Sequence, residues 1–133
     1  MKKKCINPPS LFNSQQYGFS QIVTTKPGKM IFVSGQVAWD AQQHIVGEQD
    51  LAKQTQKALD NLKIAIETAG GTLADIVMLR IYKVNFRQED GPIISQLLKS
   101  NFGTENLPAS TWVSVQGLAN PHFMIEIEAQ AVI

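Results

Sequence analysis

The sequence predicts an α+β fold of two layers, in which two helices cover one face of a β-sheet. Two stretches have apolar residues at the three- and four-residue spacing of an amphipathic helix. Five others are short runs rich in β-branched, aromatic and alternating apolar residues, which is typical of strands. The 133 residues have the length of one domain, so we expect a single domain over 1–133 that opens with an extended lead-in over 1–16.

The first two strands are predicted as a hairpin. Residues 19–25 have strand character, residues 26–29 (Lys-Pro-Gly-Lys) are a turn signal, and residues 30–33 resume strand character. Gly35 follows inside the strand pattern, where a glycine indicates a β-bulge or a close backbone approach.

The first helix is predicted from about Leu51 to Ala69. Asp50 can cap its free N–H groups, and Gly70-Gly71 can end it in the left-handed conformation. The expected buried stripe consists of Leu51, Thr55, Ala58, Leu59, Leu62 and Ile66.

The second helix is predicted from Gly91 or Pro92 to Phe102, with Asp90 as its cap and Gly103 as its stop. Its expected apolar stripe consists of Ile93, Ile94, Leu97, Leu98 and Phe102.

Three further strands are predicted, over residues 75–86, 110–116 and 123–133, each with one apolar face. Two helices can cover only one face of the resulting sheet. The other face is expected to carry Met78, Tyr82, Trp112 and Met124 beside Arg80, Glu126 and Glu128. Exposed apolar side chains of this kind mark an interface, so we expect the chain to self-associate through this face and to place its ligand site between subunits.

Composition excludes several classes of protein. A formal charge of +1 makes nucleic acid an unlikely partner, since backbone binding needs a basic face. The cluster of Lys2, Lys3 and Lys4 is interpreted as a solvated tip. The chain has no apolar run long enough to span a bilayer, and its single cysteine cannot form an internal disulfide. We therefore expect a cytoplasmic protein without membrane contact or disulfides.

The sequence lacks the usual phosphate-binding, nucleophile-elbow and zinc signatures. His44 and His122 are predicted to be solvated loop residues without metal, and Cys5 a bystander thiol in the lead-in. Glu126 and Glu128 point to the same side of one strand, about 7 Å apart. If this face is buried between subunits, at least one of them could act on water as an acid or a base; alternatively they form salt bridges, for instance to Arg80.

Five stretches together resemble one family. They are residues 32–36 (Phe-Val-Ser-Gly-Gln), 58–62 (Ala-Leu-Asp-Asn-Leu), 69–70 (Ala-Gly), 108–109 (Pro-Ala) and 125–132 (Ile-Glu-Ile-Glu-Ala-Gln-Ala-Val). In this order they are similar to the Rid family, also called YjgF or L-PSP endoribonuclease. The resemblance implies a chorismate-mutase-like fold and a homotrimeric barrel with three clefts between subunits. It also implies cofactor-free hydrolysis of enamines and imines to 2-oxo acids and ammonia.

The resemblance assigns residues to the cleft position by position. Glu126 matches the glutamate that positions water, Ser34 and Gly35 match the cleft-lining Ser-Gly pair, and either Tyr17 or Phe19 matches the cleft tyrosine.

The carboxylate-binding arginine that follows Pro-Ala in the deaminases is absent. Ser110 stands in its place, followed by Thr111 and by Trp112 where the deaminases have a small residue. A hydroxyl cannot replace the charge of a guanidinium, and tryptophan adds apolar bulk, so we expect a cleft suited to an uncharged or aromatic ligand. Arg80 is a second candidate for the missing cation.

Together with this resemblance, the sequence predicts a trimer whose clefts bind a small metabolite and hydrolyse a C=N bond with Glu126. Two alternatives stay open: a conventional 2-iminobutanoate/2-iminopropanoate deaminase, and a non-catalytic ligand-binding or chaperone-like module.

Overall fold

The computed structural model describes residues 2–133 and shows an α+β fold with a four-stranded mixed sheet, a separate strand pair and two helices. This confirms the predicted fold class. The strands are β1 (Lys3–Ile6), β2 (Ile22–Thr25), β3 (Met30–Gln36), β4 (Ile76–Val84), β5 (Ala109–Val115) and β6 (Ile125–Val132). The helices are α1 (Leu51–Thr68) and α2 (Asp90–Phe102), and short 3-10 turns occupy Gln15–Tyr17 and Leu73–Asp75.

The main sheet has the strand order β3-β6-β4-β5, with β4 and β5 parallel and the other pairs antiparallel. The edge strands are therefore β3 and β5. The parallel pair requires a crossover, and α2 supplies it. Among residues 2–133, neither helix has the length and apolarity that crossing a bilayer requires.

The core lies between the helices and one face of this sheet. The entire predicted stripe of α1 is buried, and the carboxylate of Asp50 accepts a hydrogen bond from the Lys53 amide at 3.0 Å. Gly70 ends the helix region at φ +100°, as predicted. In α2 the buried apolar residues are Ile94, Leu98 and Phe102, whereas Ile93 is exposed and Leu97 half-buried.

The predicted cap of α2 is wrong. The helix begins at Asp90 itself, whose carboxylate turns back to the Arg87 amide (2.8 Å) and to the ammonium of Lys83 (3.0 Å). Lys83 lies on the buried face of β4, so its charge needs a partner there, and Asp90 provides it.

The predicted hairpin is also wrong. β2 pairs with β1, and β3 pairs with the last strand, β6. An alternating pattern fixes which face of a strand is buried but not which strand is its neighbour. Here Ile31 and Val33 of β3 align with the small residues Ala131 and Ala129 of β6.

The lead-in is tied down more firmly than predicted. Lys3 is buried, and its Nζ donates to the carbonyls of Ala74 (3.2 Å), Ile76 (2.8 Å) and Asn106 (2.8 Å). The interpretation of Lys3 as a solvated tip is therefore wrong, because three backbone carbonyls take the place of the water molecules that would solvate an exposed ammonium. Cys5 lies in β1 and its thiol donates to the Leu107 carbonyl at 3.4 Å.

Candidate functional site

A concave site, here called the aromatic pocket, lies where α2, β5 and the 3-10 turn Gln15–Tyr17 meet. Its volume is about 710 Å³, within the range of small-molecule sites. It is lined by Phe12, Gln16, Tyr17, Phe19, Phe86, Gln88, Gly91, Pro92, Ser95, Gln96, Lys99, Ser110 and Trp112.

The aromatic side chains form a continuous wall. Ring centroids are 6.3 Å apart for Phe12 and Tyr17, and 6.2 Å apart for Phe12 and Phe19, Phe19 and Trp112, and Phe86 and Trp112. Such spacing is that of interacting rings and leaves their outer faces available to a planar ligand.

The chain segment before β2 holds Phe19 against β5. The Ser20 hydroxyl donates to the Leu107 carbonyl at 2.6 Å, and the Ser20 amide donates to the Pro108 carbonyl at 2.9 Å. Because Ser20 is fixed in this way, Phe19 lies over Trp112. Tyr17 lines the same pocket from the 3-10 turn, so the structure places both candidate aromatics there.

Trp112 does not lie on the uncovered sheet face, and the prediction that it does is wrong. The parallel register aligns Ser110 with Leu79 and Trp112 with Ile81, whose side chains are buried under the helices. Side chains paired across strands share a face, so Ser110 and Trp112 point to the helix side. The indole Nε1 of Trp112 donates to Ser110 Oγ at 3.1 Å.

Met124 is misassigned as well. It precedes β6, its side chain packs against the core, and its amide donates to Gln54 Oε1 at 2.9 Å. Gln54 is buried in α1 and also donates to the His122 carbonyl at 2.9 Å. It thereby anchors the chain that leads into β6.

The sheet face away from the helices, here called the open face, carries a mixed set of side chains. The register places on it Phe32, Met78, Arg80, Tyr82, Thr111, Val113, Glu126, Glu128 and Gln130. Phe32 is 67% exposed and Val113 39% exposed. Thr111 is thus separated from its neighbours Ser110 and Trp112 by the pleat of β5.

Glu126 lies beside the predicted bulge of β3. The register of β3 and β6 shifts between Val33 and Gln36, which leaves Ser34 exposed and brings Gly35 under the Glu126 side chain. A Cβ at Gly35 would overlap the Glu126 carboxylate. The predicted bulge is therefore confirmed, whereas the close neighbour of Gly35 is the Glu126 side chain and not a second backbone.

A second concave surface, here called the glutamate groove, extends from Gly35 and Glu126 to α1. Its volume is about 870 Å³. The loop after β3 forms its rim, and Asn61 of α1 fixes that loop by donating to the carbonyls of Val37 (2.9 Å) and Trp39 (3.0 Å). The rim of the groove is thus held in place by the side chain of Asn61.

Glu128 is held by a tyrosine. The hydroxyl of Tyr82 donates to a Glu128 oxygen, and this hydrogen bond raises the pKa of Tyr82 above its ordinary value. Among residues 2–133 neither glutamate forms an ion pair, so the alternative of a salt bridge with Arg80 is not observed. Arg80 aligns with Glu128 and Thr111 on the open face and does not line the aromatic pocket.

The sequence-derived site residues therefore fall into two groups. Tyr17, Phe19, Ser110 and Trp112 meet on the helix side near the edge strand β5. The second group, Ser34, Gly35 and Glu126, lies at the opposite edge, where β3 pairs with β6. One chain does not bring the two groups together.

Sequence reasoning missed part of the aromatic pocket. Phe12, Phe86 and Lys99 line it, although neither periodicity nor the family pattern singled them out. Phe12 and Phe86 lie outside the regular elements, and Lys99 has the pattern of an ordinary solvated residue of α2. The one sequence feature that could have indicated this part of the pocket was an aromatic residue within an otherwise polar loop.

The remaining candidates lie apart from both groups. His44 is exposed and 3.3 Å from Asp40, and His122 is exposed and 3.1 Å from Glu48. Over residues 2–133, no three His, Cys, Asp or Glu side chains come close enough to hold a metal ion.

Comparison with known proteins identifies the family. The profile described as Endoribonuclease L-PSP matches residues 13–133. A crystal structure of a Rid-family protein of unknown function, YyfB from Yersinia pestis, is 40% identical, with a TM-score of 0.94 over 100% of both chains.

Two curated relatives carry enzyme names. The 3-aminoacrylate deaminase RutC of Acinetobacter baylyi is 33% identical over 83% of this chain and 84% of its own. A 2-iminobutanoate/2-iminopropanoate deaminase of Dermatophagoides farinae is 29% identical over 86% of this chain and 85% of its own. With this fold, the family profile and these relatives, the chain belongs to the endoribonuclease L-PSP family, also known as the Rid or YjgF family.

Proposed function

We propose that this chain forms a homotrimer through its open face, binds a small metabolite in the clefts between subunits, and there hydrolyses an imine- or enamine-type C=N bond without a cofactor. The names of the two deaminase relatives support the reaction class. The exposed Phe32 and Val113 support burial of the open face against another copy.

The separation of the two groups of site residues carries this proposal. The aromatic pocket lies at the β5 edge of the sheet and Glu126 lies near the β3 edge, so a single chain cannot place both around one small substrate. In a closed ring, each subunit presents one patch to a different patch of its neighbour. A head-to-tail ring would bring the β5 edge of one chain to the β3 edge of the next and join the two groups.

Glu126 is the residue to which we assign the chemistry. Its carboxylate takes a proton from water as the oxygen attacks the imine carbon. Glu126 passes this proton to the imine nitrogen, so the resulting carbon bears both a hydroxyl and an amine. Glu126 then transfers the hydroxyl proton to the amine, so that the C–N bond breaks, ammonia leaves and the carbonyl forms. Gly35 leaves the space in which the carboxylate sits.

The substrate is expected to differ from that of the conventional deaminases. Ser110 offers a hydroxyl where they carry a guanidinium, and Arg80 cannot replace it because it lies on the other face of the sheet. We therefore expect little acceleration of 2-iminobutanoate hydrolysis by this chain. The missing guanidinium favours a retuned cleft over a conventional deaminase.

An imine hydrolysis assay tests the proposal. Imines are generated from a panel of aliphatic and aromatic amino acids by an amino-acid oxidase, and their lifetime is measured by competition with semicarbazide. We expect faster hydrolysis of at least one imine, loss of that acceleration in Glu126→Gln, and no change in Glu67→Gln, an exposed glutamate of α1. Failure to accelerate any imine, or full activity of Glu126→Gln, would contradict the proposal and favour a non-catalytic binding protein.

A further inference from the structure

The aromatic pocket contains one charged side chain among the residues that line it, the ammonium of Lys99. None of the lining residues is a carboxylate; the other polar ones are amides and hydroxyls of glutamine, serine and tyrosine. The pocket thus combines an apolar aromatic wall with a single positive charge.

Lys99 is held in position but is not neutralised. Its Nζ donates to the Gln16 carbonyl at 3.2 Å, which fixes the ammonium beside the 3-10 turn. Across residues 2–133 it makes no ion pair. An ammonium has three protons to donate, so two remain for a ligand.

The aromatic wall favours a planar ligand. Phe19 lies between Phe12 and Trp112, and Phe86 flanks Trp112 on its other side, with centroids 6.2 Å apart in each pair. An aromatic wall by itself also attracts cations. Lys99 repels a cation, and no lining carboxylate offsets that repulsion, so the charge balance favours an anion.

The Ser110 hydroxyl also lines this pocket and can hydrogen-bond to a ligand. Ser110 Oγ accepts the indole N–H of Trp112 and keeps its own proton to donate.

We infer that the aromatic pocket binds a small aromatic carboxylate, with the carboxylate on Lys99 and the ring against Phe19 and Trp112. The inference rests on the proposed function in taking this pocket as half of the substrate site, and it names the substrate class as aromatic 2-imino acids. Lys99 of α2 then supplies the positive charge that the deaminase arginine would supply from β5.

Calorimetric titration tests this assignment with three ligands: phenylpyruvate, the aliphatic 2-oxobutanoate and the neutral phenylacetamide. We expect phenylpyruvate to bind more tightly than either of the others. Lys99→Gln should weaken phenylpyruvate binding by about tenfold, the value of one charge-assisted hydrogen bond, and leave phenylacetamide unaffected. Lys99→Arg should retain binding, and Lys63→Gln on the exposed side of α1 is the matched control.

Two results would overturn the inference: phenylpyruvate binding that is unchanged in Lys99→Gln, or 2-oxobutanoate binding as tight as that of phenylpyruvate. The readout is independent of hydrolysis. If the proposed function is wrong, imine hydrolysis is absent while phenylpyruvate still binds more tightly than the other two ligands. If the inference is wrong, imine hydrolysis is present while phenylpyruvate binding does not change in Lys99→Gln.

Discussion

The buried pair of Lys83 and Asp90 fixes the start of α2, and with it one wall of the aromatic pocket. The charged atoms are 3.0 Å apart, and the side chains are 7% and 11% exposed. At an effective dielectric constant of about 20, two unit charges at this distance attract by roughly 5 kcal/mol. Asp90→Asn removes the negative charge and keeps the shape, so it leaves the ammonium buried without a counter-charge. We expect a loss of about 3–5 kcal/mol in the free energy of unfolding.

Urea unfolding at fixed protein concentration measures this loss, since the proposed self-association would make stability depend on concentration. The pH dependence provides a second readout. Burial acts to raise the pKa of Asp90. The hydrogen bonds from the Arg87 amide and the Lys83 ammonium together outweigh burial, so the pKa lies below its ordinary value of 3.8. The stabilisation is therefore complete above pH 3.8 and is lost as the pH falls through the lower native pKa. In Asp90→Asn, the free energy of unfolding should therefore fall less steeply as the pH drops below 3.8.

A double variant distinguishes the charge pair from a merely structural role of Asp90. Adding Lys83→Met to Asp90→Asn removes the uncompensated ammonium, so the double variant should be more stable than Asp90→Asn alone. A loss below about 1 kcal/mol in Asp90→Asn, or a double variant less stable than the single one, would refute the reasoning.

Three further predictions concern other parts of the chain. Lys3→Met leaves three backbone carbonyls without their donor and should cost about 2–4 kcal/mol in urea unfolding; an unchanged midpoint would show that the contacts do not stabilise the fold. Gly35→Ala places a methyl group on the neighbouring glutamate and should lower imine hydrolysis by about tenfold or more, whereas Gly117→Ala, in open space, should not; equal activities would contradict the proposed role of this site. Ser110→Arg combined with Trp112→Cys should hydrolyse 2-iminobutanoate faster than either single variant, because both residues line one pocket; simple additivity would count against that coupling.

The helices could be predicted closely because their signal is local. The buried side of α1 follows from residues three and four apart, and Leu59, Leu62 and Ile66 are fully buried as that spacing requires. The bulge at Gly35 was equally predictable, since a glycine weakens a regular strand and is typical of a bulge or of a closely packed neighbour.

The partners of the strands could not be predicted in the same way. One face of β5 carries Ser110, Trp112 and Ser114, and the other carries Ala109, Thr111, Val113 and Val115. The second face has more apolar residues, yet the pairing with Leu79 and Ile81 in β4 turns Ser110 and Trp112 toward the helices.

The sequence named candidate site residues but could not show how they are arranged. Family resemblance pointed to Glu126 and Ser110, yet the pattern could not show that they lie on opposite faces of the sheet. Lys99 gave no signal, because a lysine on a helix is solvated in most proteins and only the neighbouring Gln16 carbonyl and the aromatic wall give it a role.

Sedimentation equilibrium at micromolar concentration tests the central claim most directly, since a site shared between chains requires the open face to be an interface. We expect three times the mass of the 14.7 kDa chain, and dissociation when Phe32→Glu places a charge on the open face. Lys63→Glu, on the exposed side of α1, should leave the trimer intact. A monomer mass for the unchanged protein would contradict the shared site.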